Sequence, residues 1–394
     1  MKFRYLLMAL ALPLLLCCGK GDDTNKDTKK TDDTPVVIPE DEEELPPEIH
    51  NGDKVCVTDP LVEQFLTEVD YPDNDYSYTD LLNYSPVCPG NSDKPQVFTI
   101  RWEKDASAGA LKAKLWEATW SREFDVAEGE EYLKITNLLP NAHYHYQVTT
   151  ADESKTLTSG EFDTEGHVHQ LYFVSTVRNV RDLGGWKTAD GTKMVKYRKI
   201  YRGGRMQPGT INAKGIKDAL AEGIRAQLDL RGADDVLAAC ALGPDYDFCN
   251  PVIEEGYTQL LRDDQAKAKQ CIDFIFKCVK EDKPVYFHCS LGRDRTGTIS
   301  MLILGTLGVR EGDISKEYEL TQFAPYGWSV SSGESMKMTR RVDYKGAATY
   351  IWNNFVGAGE TFQQGIHKYL VSIGISQTDI DAFCNKMLVD APAN

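Results

Sequence analysis

The run His288-Cys289-Ser290-Leu291-Gly292-Arg293-Asp294-Arg295-Thr296-Gly297 sets a thiol and a guanidinium six positions apart across a short polar stretch. Attack on a phosphate monoester by cysteine needs a thiolate, a cage of backbone N–H donors for the equatorial phosphate oxygens, and a planar cation for charge that persists throughout. This stretch holds candidates for all three. A Cys-x5-Arg pair alone is a weak signal in a chain with ten cysteines. The flanking residues carry the weight.

Residues 283–287 form a short apolar run with Pro284 near its start, which predicts a buried strand ending at His288. Residues 296–304 predict a helix, with Ile299, Leu302 and Ile303 on one face and Thr296 in its first turn. Cys289 then lies at the carboxyl end of a strand, with a helix N-terminus and its orphan N–H groups aimed at whatever the loop holds. Such surroundings favour an anion and lower a thiol's pKa from about 8.5 into the range of roughly 3.5 to 7.5.

These residues resemble the signature of the tyrosine-phosphatase superfamily, HCxxGxxR followed by Ser or Thr. More narrowly they are similar to a bacterial branch whose loop reads HCxxGKDRTG and whose members act on phosphotyrosine and, in some cases, phosphoserine, phosphothreonine or phosphoinositides. Asn179-Val180-Arg181-Asp182-Leu183-Gly184-Gly185, Tyr201-Arg202-Gly203-Gly204-Arg205-Met206 and Asp229-Leu230-Arg231 fit the same branch, so the resemblance spans about residues 168–390. It implies Cys289 as nucleophile, Arg295 as bidentate phosphate clamp, and the N–H groups of Ser290, Leu291, Gly292, Arg293 and their neighbours as the oxygen cradle. It also implies Thr296 as a helper whose hydroxyl donates to the departing thiolate, and His288 as a brace for the loop. Arg293 replaces the branch's Lys, which keeps the charge but turns a compact ammonium into a planar fork. The branch points to Asp294 as general acid. Asp263, Asp264, Asp245 and Asp247 compete for that role, since no Trp-Pro pair marks a separate acid loop. No cofactor and no metal are expected.

With 394 residues the chain has room for two or three domains. Its net charge of −16 and the lack of a long basic run argue against a nucleic-acid partner. Local charge differs: Arg178, Arg181, Arg198, Lys199, Arg202, Arg205, Arg293 and Arg295 cluster in the motif segments and promise a positive field.

Lys2 and Arg4 precede an apolar run over residues 5–16 and then Cys17-Cys18, which resembles a bacterial lipoprotein signal with Cys18 as the acylated residue. Residues 19–50 are polar and cannot bury enough surface to fold. They read as a tether that holds the rest on the order of 30 Å from a membrane. The expected setting is the bacterial cell envelope, periplasmic or outer-surface, with the membrane as a partner through the lipid. Export makes disulfides Cys56–Cys88 and Cys240–Cys249 plausible.

Between about residues 95 and 166, short alternating runs at 97–102, 111–116, 132–135, 144–148 and 160–162 predict an immunoglobulin-like all-β sandwich. Leu138-Leu139-Pro140 followed by Tyr144 resembles the tyrosine corner of a fibronectin type III domain. Residues 51–94, with Tyr71, Tyr76, Tyr78 and Tyr84, stay unassigned and could cap the sandwich. His143-x-His145 and His167-x-His169 could each set two imidazoles on one strand face, but the sequence shows no carboxylate or cysteine completing either set, so packing and exposure are expected instead. Cys271 and Cys278 read as core residues of a helix with Ile275 and Val279.

Beyond the loop, residues 311–320 predict a helix and residues 327–359, with Trp328, Arg340, Arg341 and Trp352, an irregular lid-like stretch. Helices at 361–373 and 378–388 close the chain. The expected fold is an α/β phosphatase domain, a central sheet flanked by helices over 167–394, preceded by the β-sandwich. The expected function is hydrolysis of phosphotyrosine or dual-specificity phosphomonoesters, protein-borne or small, through a phosphocysteine. The alternatives are a phosphoinositide or phytase-like inositol-phosphate phosphatase, and an inactive phospholigand-binding envelope lipoprotein.

Overall fold

Alternation of apolar and polar residues builds the first half of the chain, and the computed structural model describes residues 44–76, 84, 92–105, 108–173, 175–233, 239–325 and 341–392. Strand β1 (Lys54–Cys56) and helix α1 (Pro60–Glu68) lead into β2 (Phe98–Arg101), β3 (Leu111–Glu117), β4 (Trp120–Val126), β5 (Tyr132–Ile135), β6 (His143–Thr150) and β7 (Thr156–Glu165). One sheet runs β1-β7-β6-β3-β4, and β2 pairs with β5 in a second. Alternate residues Leu111, Ala113 and Leu115 of β3 and Tyr144, Tyr146 and Val148 of β6 share a core with Phe98, Ile100 and Ile135 of the smaller sheet. Tyr144 Oη accepts the backbone N–H of Leu139 at 2.9 Å, the bond a tyrosine corner makes. Strand β4 was not foreseen: Trp120, Arg122 and Phe124 do alternate, but Ser121, Glu123 and Asp125 between them are weak strand formers.

Helix α1 has Pro60 in its first turn and is capped by Asp59, whose carboxylate accepts from Leu61 N at 2.9 Å. Its apolar face does not cap the β-rich half. Val62, Phe65, Leu66 and then Tyr71 pack on Val168, Leu320 and Phe323. Tyr76 lies against Tyr344, and Tyr78 falls outside the described residues.

The second half contains β8 (Arg181–Asp182), β9 (Lys193–Val195), β10 (Ile200–Gly203), α2 (Ala213–Ala221), β11 (Ala226–Asp229), β12 (Asp247–Cys249), α3 (Tyr257–Arg262), α4 (Gln265–Lys280), β13 (Val285–His288), α5 (Asp294–Thr306) and α6 (Glu311–Glu319). After these come α7 (Arg341–Phe355), α8 (Phe362–Ser372), α9 (Gln377–Met387) and β14 (Leu388–Asp390). The sheet order is β12-β11-β13-β10-β8, parallel except for β8 at the edge. β13 is central and buried on both sides: Val285 and Phe287 enter the core with α4 and α5, while Tyr286 enters the opposite one. Helix α5 is buried almost all round, as suits a helix wrapped by a sheet and its neighbours.

Two expectations fail here. The stretch expected to be irregular carries α7, whose Tyr344, Ala347, Ala348 and Ile351 recur at helical spacing and are buried, a pattern diluted by Gly346 and Asn353-Asn354; residues 326–340, with Trp328 and Arg340, lie outside the described residues. Cys240 and Cys249 are free thiols rather than a disulfide, as is Cys56, and Cys88 lies outside the described residues. Cys271 and Cys278 are core residues of α4, and burial pushes the Cys278 thiol up to about 12. Among the described residues no helix is long and apolar enough to cross a membrane. The signal-like segment and Cys18 lie outside those residues.

The halves meet along β4. Trp120 Nε1 donates to the carbonyl of Ala221 at 2.8 Å, and Arg122 pairs with Asp218 at 2.5 Å. The Arg198 guanidinium lies 4.4 Å over the Trp120 ring and pairs with buried Glu222.

Candidate active site

Cys289 follows directly on the last residue of β13, is 2 % exposed and is a free thiol. The loop from 289 to 293 then turns into α5, which begins at Asp294, two residues before the predicted start. Gly292 makes the turn possible with φ +71°, a backbone region that residues with a Cβ rarely enter.

Donors from outside the loop take its carbonyls. Arg205 N donates to the carbonyl of Ser290 at 3.1 Å, and Asn179 Nδ2 to those of Leu291 at 3.1 Å and Gly292 at 3.2 Å. Arg202 Nη2 also donates to the carbonyl of Gly292. A peptide whose C=O is drawn outward turns its N–H the other way, so these bonds orient the loop's amides toward the enclosed side. Glu317 stands behind them. Its carboxylate accepts from Arg181 Nε at 2.7 Å and Arg202 Nη1 at 2.8 Å, all three side chains being buried.

The expected basic cluster is thereby largely neutralised. Arg181 and Arg202 share Glu317, Arg178 is held by Asp93, Arg198 by Glu222, Lys199 by Asp282, and Arg293 by Asp294. Among the described residues, Arg205 and Arg295 have no carboxylate within salt-bridge distance. Arg295 Nη1 donates to the carbonyl of Ile253 at 2.9 Å, which anchors one side of its fork. Arg205 lines a cleft of about 190 Å3 beside Ser290, Leu291 and Arg178.

His288 is fully buried. Its Nδ1 faces the carbonyl of Cys289 at 3.1 Å and its Nε2 faces Gln227 Nε2 at 2.8 Å, partners that suit a neutral ring protonated on Nδ1. Burial lowers its pKa to about 4 against the opposing pull of Asp229. Asp294 Oδ1 accepts from Arg293 Nε at 2.7 Å and from the Tyr257 hydroxyl, which contacts that of Tyr318 at 2.6 Å. The competing carboxylates lie elsewhere: Asp247 starts β12 in register with Ala226 at the far end of the sheet, bound to Lys283 at 2.8 Å, and Asp263 is exposed and paired with Arg262 at 2.7 Å. Asp264 precedes α4 and lies 3.6 Å from Lys267, while Asp245 has no hydrogen bond or ion pair among the described residues. Thr296 Oγ1 is buried without a hydrogen-bond partner among the described residues.

Residues 172–389 match the tyrosine phosphatase family. The chain belongs to that family. Its Cys289 loop occupies the carboxyl-end position that α/β sheets use for ligands. A Cupriavidus necator protein named as a tyrosine-protein phosphatase is 25 % identical over 173 residues, 38 % of this chain and 62 % of its own length. A tyrosine-protein phosphatase of Nostoc commune is 37 % identical over 80 residues, 20 % of this chain and 26 % of its own. The chain therefore spans less than two thirds of either relative. A crystal structure of a cysteine-to-serine form of P. aeruginosa TpbA in complex with pTyr is 15 % identical, covering 42 % of this chain and 96 % of that one with a TM-score of 0.26.

Within this phosphatase-family site, sequence reasoning missed Glu317, Tyr257 and Tyr318. Glu317 had a readable signal: it falls on the buried face of its helix, between Ile314 and Tyr318, where only a carboxylate answering buried cations would be tolerated. Tyr257 had none, because it reaches Asp294 from α3 through tertiary packing alone.

Proposed function

We propose that this protein is a cysteine-dependent phosphatase that hydrolyses phosphomonoesters, phosphotyrosine first or with dual specificity, through a phosphocysteine. The observation that carries this reading is the engagement of the Ser290, Leu291 and Gly292 carbonyls by donors outside the loop. In the proposed first step Cys289 Sγ bonds to phosphorus as the P–O ester bond breaks, and Asp294 gives its proton to the departing oxygen. Arg295 and the loop amides hold the remaining oxygens. Water then attacks phosphorus and gives its proton to the Asp294 carboxylate, the P–S bond breaks, and the Thr296 hydroxyl hydrogen-bonds to the leaving thiolate. Arg205, beside the cleft, favours a substrate with further negative charge. The same reading makes the β-rich half a fibronectin type III-like module, supported by the Tyr144 to Leu139 bond, and anchors the chain to a bacterial envelope through acylated Cys18.

The test is turnover of p-nitrophenyl phosphate by the full chain, followed by phosphotyrosine peptide, phosphoserine peptide, inositol hexakisphosphate and phosphoinositides at equal concentration. Loss of turnover in Cys289→Ser and a steep fall in Arg295→Lys are expected. Normal activity in Cys289→Ser would overturn the assignment. Phosphate binding with no vanadate-sensitive turnover of any substrate would mark an inactive phospholigand-binding protein, and fastest turnover of an inositol phosphate would replace the phosphotyrosine assignment.

A further inference from the structure

Strands β6 and β7 run antiparallel with His143 opposite Asp163 and His145 opposite Glu161. Residues two apart on a strand, and residues directly opposite across a pair, project from one face of the sheet. The other face buries Tyr144, Tyr146 and Phe162, so these four polar side chains share the outer one. The carboxylate that the His143-x-His145 spacing lacked in sequence is thus supplied by the neighbouring strand.

Glu161 Oε2 lies 3.5 Å from His143 Nε2 and 3.5 Å from His145 Nδ1. Both separations exceed a good hydrogen bond. They match the edge of a tetrahedral shell, about 1.6 times a metal–ligand bond of about 2.1 Å, or roughly 3.4 Å. All three atoms fall within 4.8 Å of one another, so a single ion could touch each after small side-chain rotations. The other nitrogen of His143, Nδ1, lies 2.8 Å from Asp163 Oδ1. That is the carboxylate–histidine arrangement which fixes a ligating ring's tautomer and orientation. The His145 ring is steadied from the other side by Trp116, stacked at 5.3 Å and 23°. Lys54, opposite Asp163 on β1, is engaged by Glu165 at 2.8 Å.

We propose that His143, His145 and Glu161 form a binding site for a tetrahedral divalent transition-metal ion, Zn²⁺ by its geometry, with Asp163 orienting His143 and the fourth position open to water. None of these residues takes part in the Cys289 loop or its supports, so the site is independent of the proposed phosphatase chemistry.

The test is a Zn²⁺ titration of the full chain against a chromophoric chelator, in a Cys289→Ser background that removes that thiol as a competing ligand. One Zn²⁺ per chain at micromolar or tighter affinity is expected, weakened at least tenfold by His143→Ala, His145→Ala or Glu161→Ala. Asp163→Ala, which removes only the orienting group, is expected to weaken binding about 10- to 100-fold. Co²⁺ in place of Zn²⁺ should give the intense visible bands of a tetrahedral centre, lost in His143→Ala. All four side chains are at least partly exposed, and circular dichroism with His145→Gln as a second variant checks that folding is intact. Failure of the parent to bind Zn²⁺, or equal affinity and stoichiometry in a His143→Ala/His145→Ala double variant, would overturn the proposal.

Discussion

Replacing Gly292 by Ala isolates what the loop's shape contributes, because the structure supplies a matched control. Gly292 and Gly191 both have φ +71°. A Cβ at Gly191 would meet nothing within 4 Å, whereas one at Gly292 would stand 2.8 Å from Gly204 N and closer still to the Gly203 carbonyl. Left-handed backbone costs a residue with a side chain about 1–2 kcal/mol, so both variants should lose about that much stability from strain alone. At Gly292 the obstructing atoms are backbone, on β10 and the residue after it, and cannot rotate aside. The loop must therefore move by something on the order of 1 Å, and a displacement of that size at a reacting centre can lower the rate about 100-fold. Thermal unfolding and p-nitrophenyl phosphate kinetics read the two effects separately. Gly191→Ala should keep kcat/KM within about twofold of the parent, and Gly292→Ala should lower it by about 100-fold. Equal kcat/KM in the two variants would refute the idea that this close approach holds the cradle in shape.

Two further outcomes are expected. His288 has a folded pKa of about 4 against an ordinary 6.5, so the unfolded chain binds the extra proton in that interval. Its contribution to stability is therefore full above pH 6.5 and lost as pH falls toward 4, by about 3 kcal/mol in all; urea unfolding across that range should show the loss in the parent and a flatter profile in His288→Asn, and identical profiles would exclude it. For Asp294→Asn, kcat/KM on phenyl phosphate, a poor leaving group, should fall by roughly 10²- to 10⁴-fold and on p-nitrophenyl phosphate by much less. Equal falls on both would leave Asp294 as a brace for Arg293 and Tyr257.

Where the sequence was informative, local pattern and chemistry coincided. The apolar run before His288 and the helical spacing after Thr296 bracket the loop because a central strand and a buried helix leave little freedom in residue type. What escaped was set by tertiary partners. Helix α7 hid behind Gly346 and paired asparagines, since its stability comes from packing Tyr344 and Ile351 and not from propensity. The arginines read as a field for phosphate are mostly counter-ions to buried acids such as Glu317 and Glu222, and no spacing rule pairs Arg181 or Arg202 with a glutamate more than a hundred positions away. Glu161 is only sixteen residues from His145, yet its place opposite that ring depends on a strand register that alternation alone leaves open.

The seam along β4 bears on how this chain tolerates dissection. Strand β1 completes the first sheet, α1 leaves it to pack on Leu320 and Phe323, and Arg198 reaches back to stack on Trp120. A fragment cut near residue 167 would uncover Phe323 and strand the Arg198–Glu222 pair without its aromatic roof. The amino-terminal half is in this respect a keel for the phosphatase-family half, fixed to it along its length, rather than a pendant bead free to swing.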